Sequence, residues 1–505
     1  MSSFHYATLS AHVGMKASAA ARADKILGRD GARQPPRRTR AQIIKAIVQV
    51  ALQEHEFFHC HSTLSTTMGW LLFYTARLIR GYKFDLLSPL RRSAIEIWQT
   101  GKEQFVYDSS APALNEGRFA QAGLAEAELL WRFLNSPSPY WVEKLGKANP
   151  SSGKLISEPH TRKYPWLSQV RLPSESDLLR HREVPSLPHI LEAQAGWKEF
   201  WYASALTLLS FGREPNGSML FHCITRDFVR SRLENLKYRA VADLIAARTG
   251  HGLAKAVVGY ILDIALCPPV VGDDVRWAEF HPCARLIDIL RAWRDFSLPD
   301  WAGRTNVEGI PSDAYEQLDA EIAKKLGWTS ALANVRALER KLIEETGPIK
   351  VSGIIRDGMM PERFMYCLQR KIACGGVFLS EFGTPRESKV RHIGSAPLTI
   401  TWDDDFWVSP VATDPVLQDL LIFDTLYDLV LEALINPDSK LSKFTLARRF
   451  HARATRWMRS KPGHANLIEK SFDRFVDKVR TGKLTGEFYS LAKPLLLSPL
   501  SKGRK

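Results

Sequence analysis

Cysteine is scarce in this chain: six cysteines occur among 505 residues, and no two of them have C-x-x-C spacing. A disulfide framework needs a much higher density of cysteine, and a zinc finger needs four ligands at short, regular spacing. The sequence therefore favours neither. We expect the thiols to be small buried side chains in a reducing compartment, which predicts a cytoplasmic protein.

Long apolar runs are also lacking. The apolar stretch 68–79 is short and carries Arg77, and the stretch 252–272 contains Lys255 and Asp263. A helix that crosses a bilayer needs about 20 consecutive apolar residues. The amino terminus shows no charged segment followed by an apolar one, so no signal peptide is expected. The sequence predicts no transmembrane segment, and both stretches are expected to be buried core helices.

Several catalytic motifs are absent from the sequence. It contains no G-x-x-x-x-G-K-[ST] phosphate-binding loop and no G-x-G-x-x-G after a predicted strand. It also contains no G-x-S-x-G nucleophile elbow. A conventional NTPase, a dinucleotide enzyme of the Rossmann type and a serine hydrolase are therefore not expected.

Cations, in contrast, are abundant. Lysine and arginine number 69 against 54 aspartates and glutamates, which gives a net charge of +15 and a pI near 9.5. A surplus of this size favours a polyanionic partner. We expect that partner to be nucleic acid, DNA rather than RNA, with protein partners as a further expectation.

Hydrophobic periodicity predicts a mainly α, multi-helical protein. Apolar residues recur at three- and four-residue intervals in 43–51, and the segment 190–209 is apolar and aromatic over a helical length. Short β-prone runs occur at 375–379 and 397–402, separated by a polar segment rich in glycine and proline. We therefore expect a minor β hairpin or small sheet around residues 375–402.

Proline marks the clearest break in the chain, since the segment 136–189 holds eight of the 28 prolines. We interpret this segment as a linker or a long loop. The predicted organisation is a basic flexible arm (1–40), an N-terminal helical domain (41–135), the proline-rich segment (136–189), a central helical domain (190–345), a mixed α/β segment (346–412) and a basic C-terminal helical region (413–505).

The strongest charge feature is the segment 443–461, because no acidic residue occurs between Asp438 and Glu469. Apolar residues at helical spacing would leave its cations on the exposed sides, where they can donate hydrogen bonds to phosphates. The alternatives are a solvated basic face, a face paired with the chain's own carboxylates, and binding to anionic lipid. With the arm, this segment supplies the predicted nucleic-acid-binding residues: Arg37, Arg38, Arg40, Lys443, Arg448, Arg449, Arg453, Arg456, Arg459 and Lys461.

Three histidines, His55, His59 and His61, fall within seven residues. On a strand, His59 and His61 would turn two imidazoles towards one metal ion. On a helix those two point about 200° apart, whereas His55 and His59 are one turn apart and can share a metal. Ordinary packed or surface histidines are the alternative, and the site is predicted only as a candidate.

The opening of the chain, Phe4-His5-Tyr6 followed by alanine-rich sequence and Gly28-Arg29-Asp30-Gly31, resembles the start of plasmid mobilisation relaxases of the MobA/MobL type. The resemblance implies a divalent metal held by a histidine triad, and a tyrosine that nicks DNA, here Tyr6. The sequence departs from that pattern at His55, which lies very close to His59 and His61, and in the helical pattern of the surrounding residues.

A second candidate metal site is the run Asp403, Asp404 and Asp405, which follows a predicted strand. Carboxylates in that position would suit a metal-dependent nuclease, whereas a solvated turn is the alternative. Three functional hypotheses result. The first is a non-enzymatic nucleic-acid-binding protein of low sequence specificity that needs no cofactor. The second is a metal-dependent nuclease or strand-transfer enzyme. The third is a helical scaffold that docks acidic proteins.

Overall fold

A computed structural model provides the structure of the chain. It describes residues 3–6, 9–28, 38–79, 114–148, 155, 170–184, 186–211, 223, 226, 234, 236–272, 275–298, 300–304, 310–346, 360–373, 399–403 and 406–408. Helix accounts for 75% of the residues that can be interpreted, so the mainly α fold class is confirmed.

The helices range from 4 to 26 residues in length. In chain order they are Ala17–Ile26 (α1), Arg40–Ser65 (α2), residues 67–79 (α3), Leu114–Asn135 (α4), Pro139–Ala148 (α5), Glu175–Arg180 (α6), Leu187–Phe211 (α7), Leu236–Thr249 (α8), Ala256–Ala265 (α9), Trp277–Phe280 (α10), Pro282–Arg291 (α11), Ala314–Leu326 (α12), Ala331–Thr346 (α13) and Met360–Ala373 (α14). Single 3-10 turns occur at Trp293–Asp295 and Asp300–Gly303.

Two antiparallel hairpins provide the β structure of the described residues. The strands Ser3–His5 (β1) and Ser10–Val13 (β2) pair with Phe4 opposite Ala11. The strands Thr399–Trp402 (β3) and Phe406–Val408 (β4) pair with Ile400 opposite Trp407. The predicted strand at 397–402 is therefore present, but its partner follows it in the chain. The other predicted run, 375–379, lies outside the described residues.

The amino-terminal arm differs from its prediction, because β1, β2 and α1 lie within residues 1–40. Helix α1 packs against α2, and its small residues Ala20 and Ala23 are buried. Alanine favours helix and lets two helix backbones come close, which explains how a segment with few large apolar residues acquires structure. Arg37 lies outside the described residues.

The chain divides into two units, one of residues 1–75, 129–355 and 359–397, the other of residues 76–128, 356–358 and 398–505. In the first unit, α7 packs against α2, α8, α9 and α11. Helices α7 and α9 come very close at Gly259 of α9, where a Cβ atom would lie 2.2 Å from the Trp197 ring of α7. Glycine at that position lets the two buried helices touch.

Polar side chains cross the core of the first unit and form what we call the Asp263 cluster (Asp263, Cys267, Tyr315 and Lys371). The Tyr315 hydroxyl donates to Asp263 Oδ2 at 2.7 Å, and the Lys371 ammonium donates to the same oxygen. Lys371 Nζ also lies 3.4 Å from Cys267 Sγ, and Gln194 of α7 donates to Asp263 Oδ1 at 3.1 Å. A buried charge is costly unless it has hydrogen-bonding or oppositely charged partners, and the members of this cluster supply such partners to one another.

Two remaining predictions concern the membrane and the proline-rich segment. Among the described residues, no helix is both long enough and apolar enough to cross a membrane. The cytoplasmic location stays a prediction. Helices α5 and α6 lie inside the segment 136–189, and the predicted domain boundaries stay predictions as well.

Candidate metal centre

Helix α2 positions the histidines of the candidate site. Its first turn is closed by a capping box, in which the Thr39 hydroxyl accepts from the Gln42 amide and the Gln42 side chain accepts from the Thr39 amide. The helix then runs unbroken through His55 and His59, which are one turn apart and therefore share a face. That face meets helix α7.

Helix α7 contributes a carboxylate to the same place. The Nε2 atoms of His55 and His59 lie 3.2 Å apart. Glu192 Oε2 lies 3.3 Å from the first of these atoms and 3.9 Å from the second. We call these three residues the His–Glu cluster. Among the described residues, it is the group of three histidine, cysteine or acidic side chains whose ligand atoms converge.

The dimensions of the His–Glu cluster can be compared with those of a zinc site. Zinc binds imidazole nitrogen and carboxylate oxygen at about 2.0–2.1 Å with tetrahedral angles, which places neighbouring ligand atoms about 3.4 Å apart. Two edges of the observed triangle, 3.2 and 3.3 Å, match this spacing, and the third, 3.9 Å, needs a small side-chain shift. The spacing of these three residues therefore fits a tetrahedral ion, which would take a fourth ligand from elsewhere.

Two more carboxylates surround the histidines. Glu199 lies two turns after Glu192 on α7, and its Oε2 is 3.2 Å from His55 Nδ1. Burial by itself lowers the pKa of His55, but the carboxylates of Glu192 and Glu199 beside its two nitrogens outweigh it, and with the charge of Glu56 they raise the pKa to about 10. Burial raises the pKa of Tyr6 well above its ordinary value, and the charges of Glu192 and Glu56 raise it further. These carboxylates give the site a strongly negative electrostatic potential, which favours a bound cation.

The β1–β2 hairpin lines one side of the site. Phe4 stacks on His59 with ring centroids 6.2 Å apart, and Tyr6 meets both Phe4 and Trp131 edge-on. The side chains of His55 and His59 are only 3% and 8% exposed, whereas that of Glu192 is 24% exposed. An ion held here would therefore be reached from the Glu192 side.

His61 does not join the site. Its ring stacks on Phe58 with centroids 5.6 Å apart, and it is partly exposed, whereas His55 and His59 are buried. This arrangement follows from helical geometry, because residues two apart on a helix point in nearly opposite directions.

Sequence reasoning missed Glu56, Glu192 and Glu199. One signal was present: His55-Glu56-Phe57-Phe58-His59 has the spacing H-E-x-x-H, which on a helix places two histidines on a zinc ion and a glutamate beside them as general base. No local pattern marks the two carboxylates of α7, because only tertiary packing brings them to α2.

The other predicted site residues lie elsewhere or outside the described part of the chain. Arg38 donates to the Ile26 carbonyl at the end of α1, and Arg40 is exposed at the start of α2. Asp403 is exposed after β3. Outside the described residues lie Arg37, Asp404, Asp405, Lys443, Arg448, Arg449, Arg453, Arg456, Arg459 and Lys461.

Comparison of the chain with models of known protein families, with curated proteins and with solved structures finds no match. The resemblance of the amino terminus to mobilisation relaxases thus rests on the quoted residues alone. The chemistry of the site has to be argued from its geometry.

Proposed function

We propose that this chain is a metal-dependent hydrolase, with zinc as the ion and a peptide bond as the target. The observation that carries the proposal is the convergence of His55, His59 and Glu192, with Glu56 placed between the two histidines by the H-E-x-x-H spacing. A zinc ion held by three protein ligands lowers the pKa of a bound water and polarises a carbonyl group.

Glu56 is the proposed general base. It is buried and follows His55 directly in the chain, and its charge raises the pKa of both His55 and Tyr6, which supports a place near the ligands. A carboxylate in that position can take a proton from the attacking water and deliver it to the departing amine. His55, His59 and Glu192 would hold the ion, and the more exposed Glu192 side would admit the substrate.

The charge around the site favours a peptide over a phosphodiester. Glu56, Glu192 and Glu199 place three carboxylates near the two histidines. A phosphodiester brings a negative charge of its own into this environment and is repelled, whereas an amide is neutral. This reasoning ranks peptide hydrolysis above the nuclease hypothesis, although both would use the same ion.

The test is digestion of a denatured, unstructured polypeptide by the full chain loaded with Zn²⁺, with the products identified by mass spectrometry. We expect cleavage that a chelator stops and that Glu56→Gln reduces about 100- to 10,000-fold. Two matched controls, Glu54→Gln and His61→Ala, lie on the same helix but point about 200° away from Glu56 and His59, and should keep the activity. Intact polypeptide with the zinc-loaded wild type, or equal cleavage by Glu56→Gln, contradicts the proposal.

Nucleic-acid binding is the second candidate, favoured by the surplus of 69 cations over 54 anions. Contacts to phosphates would come from the predicted basic helix at 443–461 and from the arm. If about six phosphates are neutralised, log affinity falls with log salt with a slope of about −5. The test compares the salt dependence of duplex binding for the wild type and for a variant with glutamine at Arg448, Arg449, Arg453 and Arg456. Equal slopes for the two proteins would contradict this assignment.

A further inference from the structure

We infer that Glu199 is a positioning residue, which holds the His55 ring with its Nε2 lone pair turned towards His59 and Glu192. The inference rests on the proposed metal site and deepens it. Glu199 is not a ligand of the cluster: its carboxylate faces the opposite nitrogen of the His55 ring, at 3.2 Å from Nδ1.

The place of Glu199 follows from helix geometry. Seven residues are close to two full turns, so Glu192 and Glu199 project from the same face of α7 towards α2. The side chain of Glu199 is completely buried. A buried carboxylate is costly unless it has charged or hydrogen-bonding partners, and the imidazole of His55 is such a partner.

The hydrogen-bonding capacity of imidazole explains what Glu199 does. A neutral imidazole has one N–H donor and one lone-pair acceptor, and the partner of one nitrogen decides the state of the other. A carboxylate at Nδ1 keeps the proton there, so that Nε2 is the nitrogen that gives up its proton when the ring binds a cation. Two Nε2 atoms only 3.2 Å apart need this arrangement if both are to bind one cation.

Glu199 also increases the electron density on the ring. A histidine ligand whose other N–H is donated to a carboxylate is a better base and is fixed in orientation, and loss of such a partner weakens metal binding about 10- to 100-fold. The competing explanation is a purely structural one, in which Glu199 only joins α7 to α2. In that case its replacement would change the stability of the protein but not the properties of a bound metal.

The experiment is a Co²⁺ titration of the full chain, followed through the visible absorption bands of the bound ion. Four proteins are compared: the wild type, Glu199→Gln, Glu199→Leu and Thr207→Val. Thr207 is equally buried on α7, and its hydroxyl donates to the Ala203 carbonyl, so its replacement removes a buried hydrogen bond without affecting His55. Circular dichroism establishes which variants are folded.

We expect Glu199→Leu to weaken Co²⁺ binding about 10- to 100-fold and to shift the absorption bands. Glu199→Gln keeps an oxygen near Nδ1 but lacks the charge, so its Co²⁺ affinity should lie between those of the wild type and Glu199→Leu. Thr207→Val should keep the wild-type affinity and spectrum. If Glu199→Leu does not fold, the near-isosteric Glu199→Gln decides the question.

The possible failures are distinguishable. Wild-type affinity and spectrum in the folded Glu199 variants would overturn the role of Glu199 and leave the metal site intact. A wild-type chain that binds no Co²⁺ would overturn the metal site itself, and the positioning role with it.

Discussion

Within the described part of the first unit, the Asp263 cluster and the His–Glu cluster differ in character. In the Asp263 cluster the carboxylate of Asp263 accepts from the ammonium of Lys371, and from Tyr315 and Gln194. In the His–Glu cluster the carboxylate of Glu192 faces two imidazoles, and Glu199 faces the back of one of them. Helices α2 and α7 border both clusters. Gln194 of α7, which donates to Asp263, accepts in turn from the Ser62 hydroxyl of α2 at 2.6 Å.

The two clusters differ in the group that carries the positive charge, which is a lysine in the Asp263 cluster and a histidine in the His–Glu cluster. Burial lowers the pKa of Lys371, but the charge of Asp263 and its hydrogen bond outweigh this and raise it, so the ammonium stays charged. A histidine can exchange its proton for a metal ion, whereas a lysine in an ion pair cannot readily do so. On this comparison we expect the Asp263 cluster to stabilise the fold, whereas the His–Glu cluster is the one proposed to bind a metal ion.

The largest effect should come from removing a ligand of the His–Glu cluster. We expect His59→Ala to weaken Zn²⁺ binding by more than about 100-fold, the largest loss expected when a ligand is kept but the group that orients it, such as Glu199, is removed. His61→Ala, two residues along the same helix, should bind Zn²⁺ like the wild type. Calorimetric titration with Zn²⁺ alone measures both, and equal affinities for the two variants would show that the histidines do not differ as the structure indicates.

Breaking the Asp263 cluster should reduce stability without changing metal binding. We expect Lys371→Met to lower the free energy of unfolding by about 3–5 kcal/mol, because Asp263 is left buried without its counter-charge. The double variant Asp263→Asn/Lys371→Met should recover a large part of that loss. Urea unfolding provides the measurement, and a Lys371→Met variant as stable as the wild type would refute the assignment.

Zinc should stabilise the protein only through the His–Glu cluster. At a free concentration of 100 times its dissociation constant, a ligand that binds only the folded state adds about 2.7 kcal/mol to the free energy of unfolding. We expect this gain for the wild type and for Lys371→Met, and a gain of at most about 0.4 kcal/mol for His59→Ala, whose site is no more than half saturated at the same concentration. Chemical unfolding with and without Zn²⁺ tests it, and the full wild-type gain in His59→Ala would place the ion elsewhere.

A buried histidine outside both clusters, His281, supplies the smallest effect. Burial lowers the pKa of His281 to about 3, even though its Nε2 lies 3.0 Å from the Leu134 carbonyl. Its ordinary pKa is about 6.5, so below that pH the unfolded chain takes up a proton that the folded chain refuses, and stability falls. We expect a loss of about 1 kcal/mol between pH 7 and pH 5.5 that is absent in His281→Asn, which keeps an N-cap acceptor for α11. Identical pH dependence in both proteins would contradict it.

Local patterns predicted a good part of this molecule. The periodicity that marked 43–51 lies within α2, and the apolar segment 190–209 lies within α7. Helical spacing also indicated that His55 and His59 share a face while His61 does not. These properties depend only on residues within a few turns of one another, which is why they could be read from the sequence.

The rest of the site depends on packing. Glu192 and Glu199 reach the histidines only because α7 lies along α2, and no spacing in the sequence records that contact. The β1–β2 hairpin was also missed, since its strands are only three and four residues long. The basic segment 443–461, prominent in the sequence, lies outside the described residues, so its role stays a prediction.

The most direct measurement is anomalous diffraction at the zinc edge from crystals of the zinc-loaded full chain. We predict one strong peak about 2.0–2.2 Å from Nε2 of His55, Nε2 of His59 and a carboxylate oxygen of Glu192. Data sets collected above and below the edge would identify the ion as zinc. A map with no peak between these three side chains, or with the zinc bound by other residues, would contradict the account.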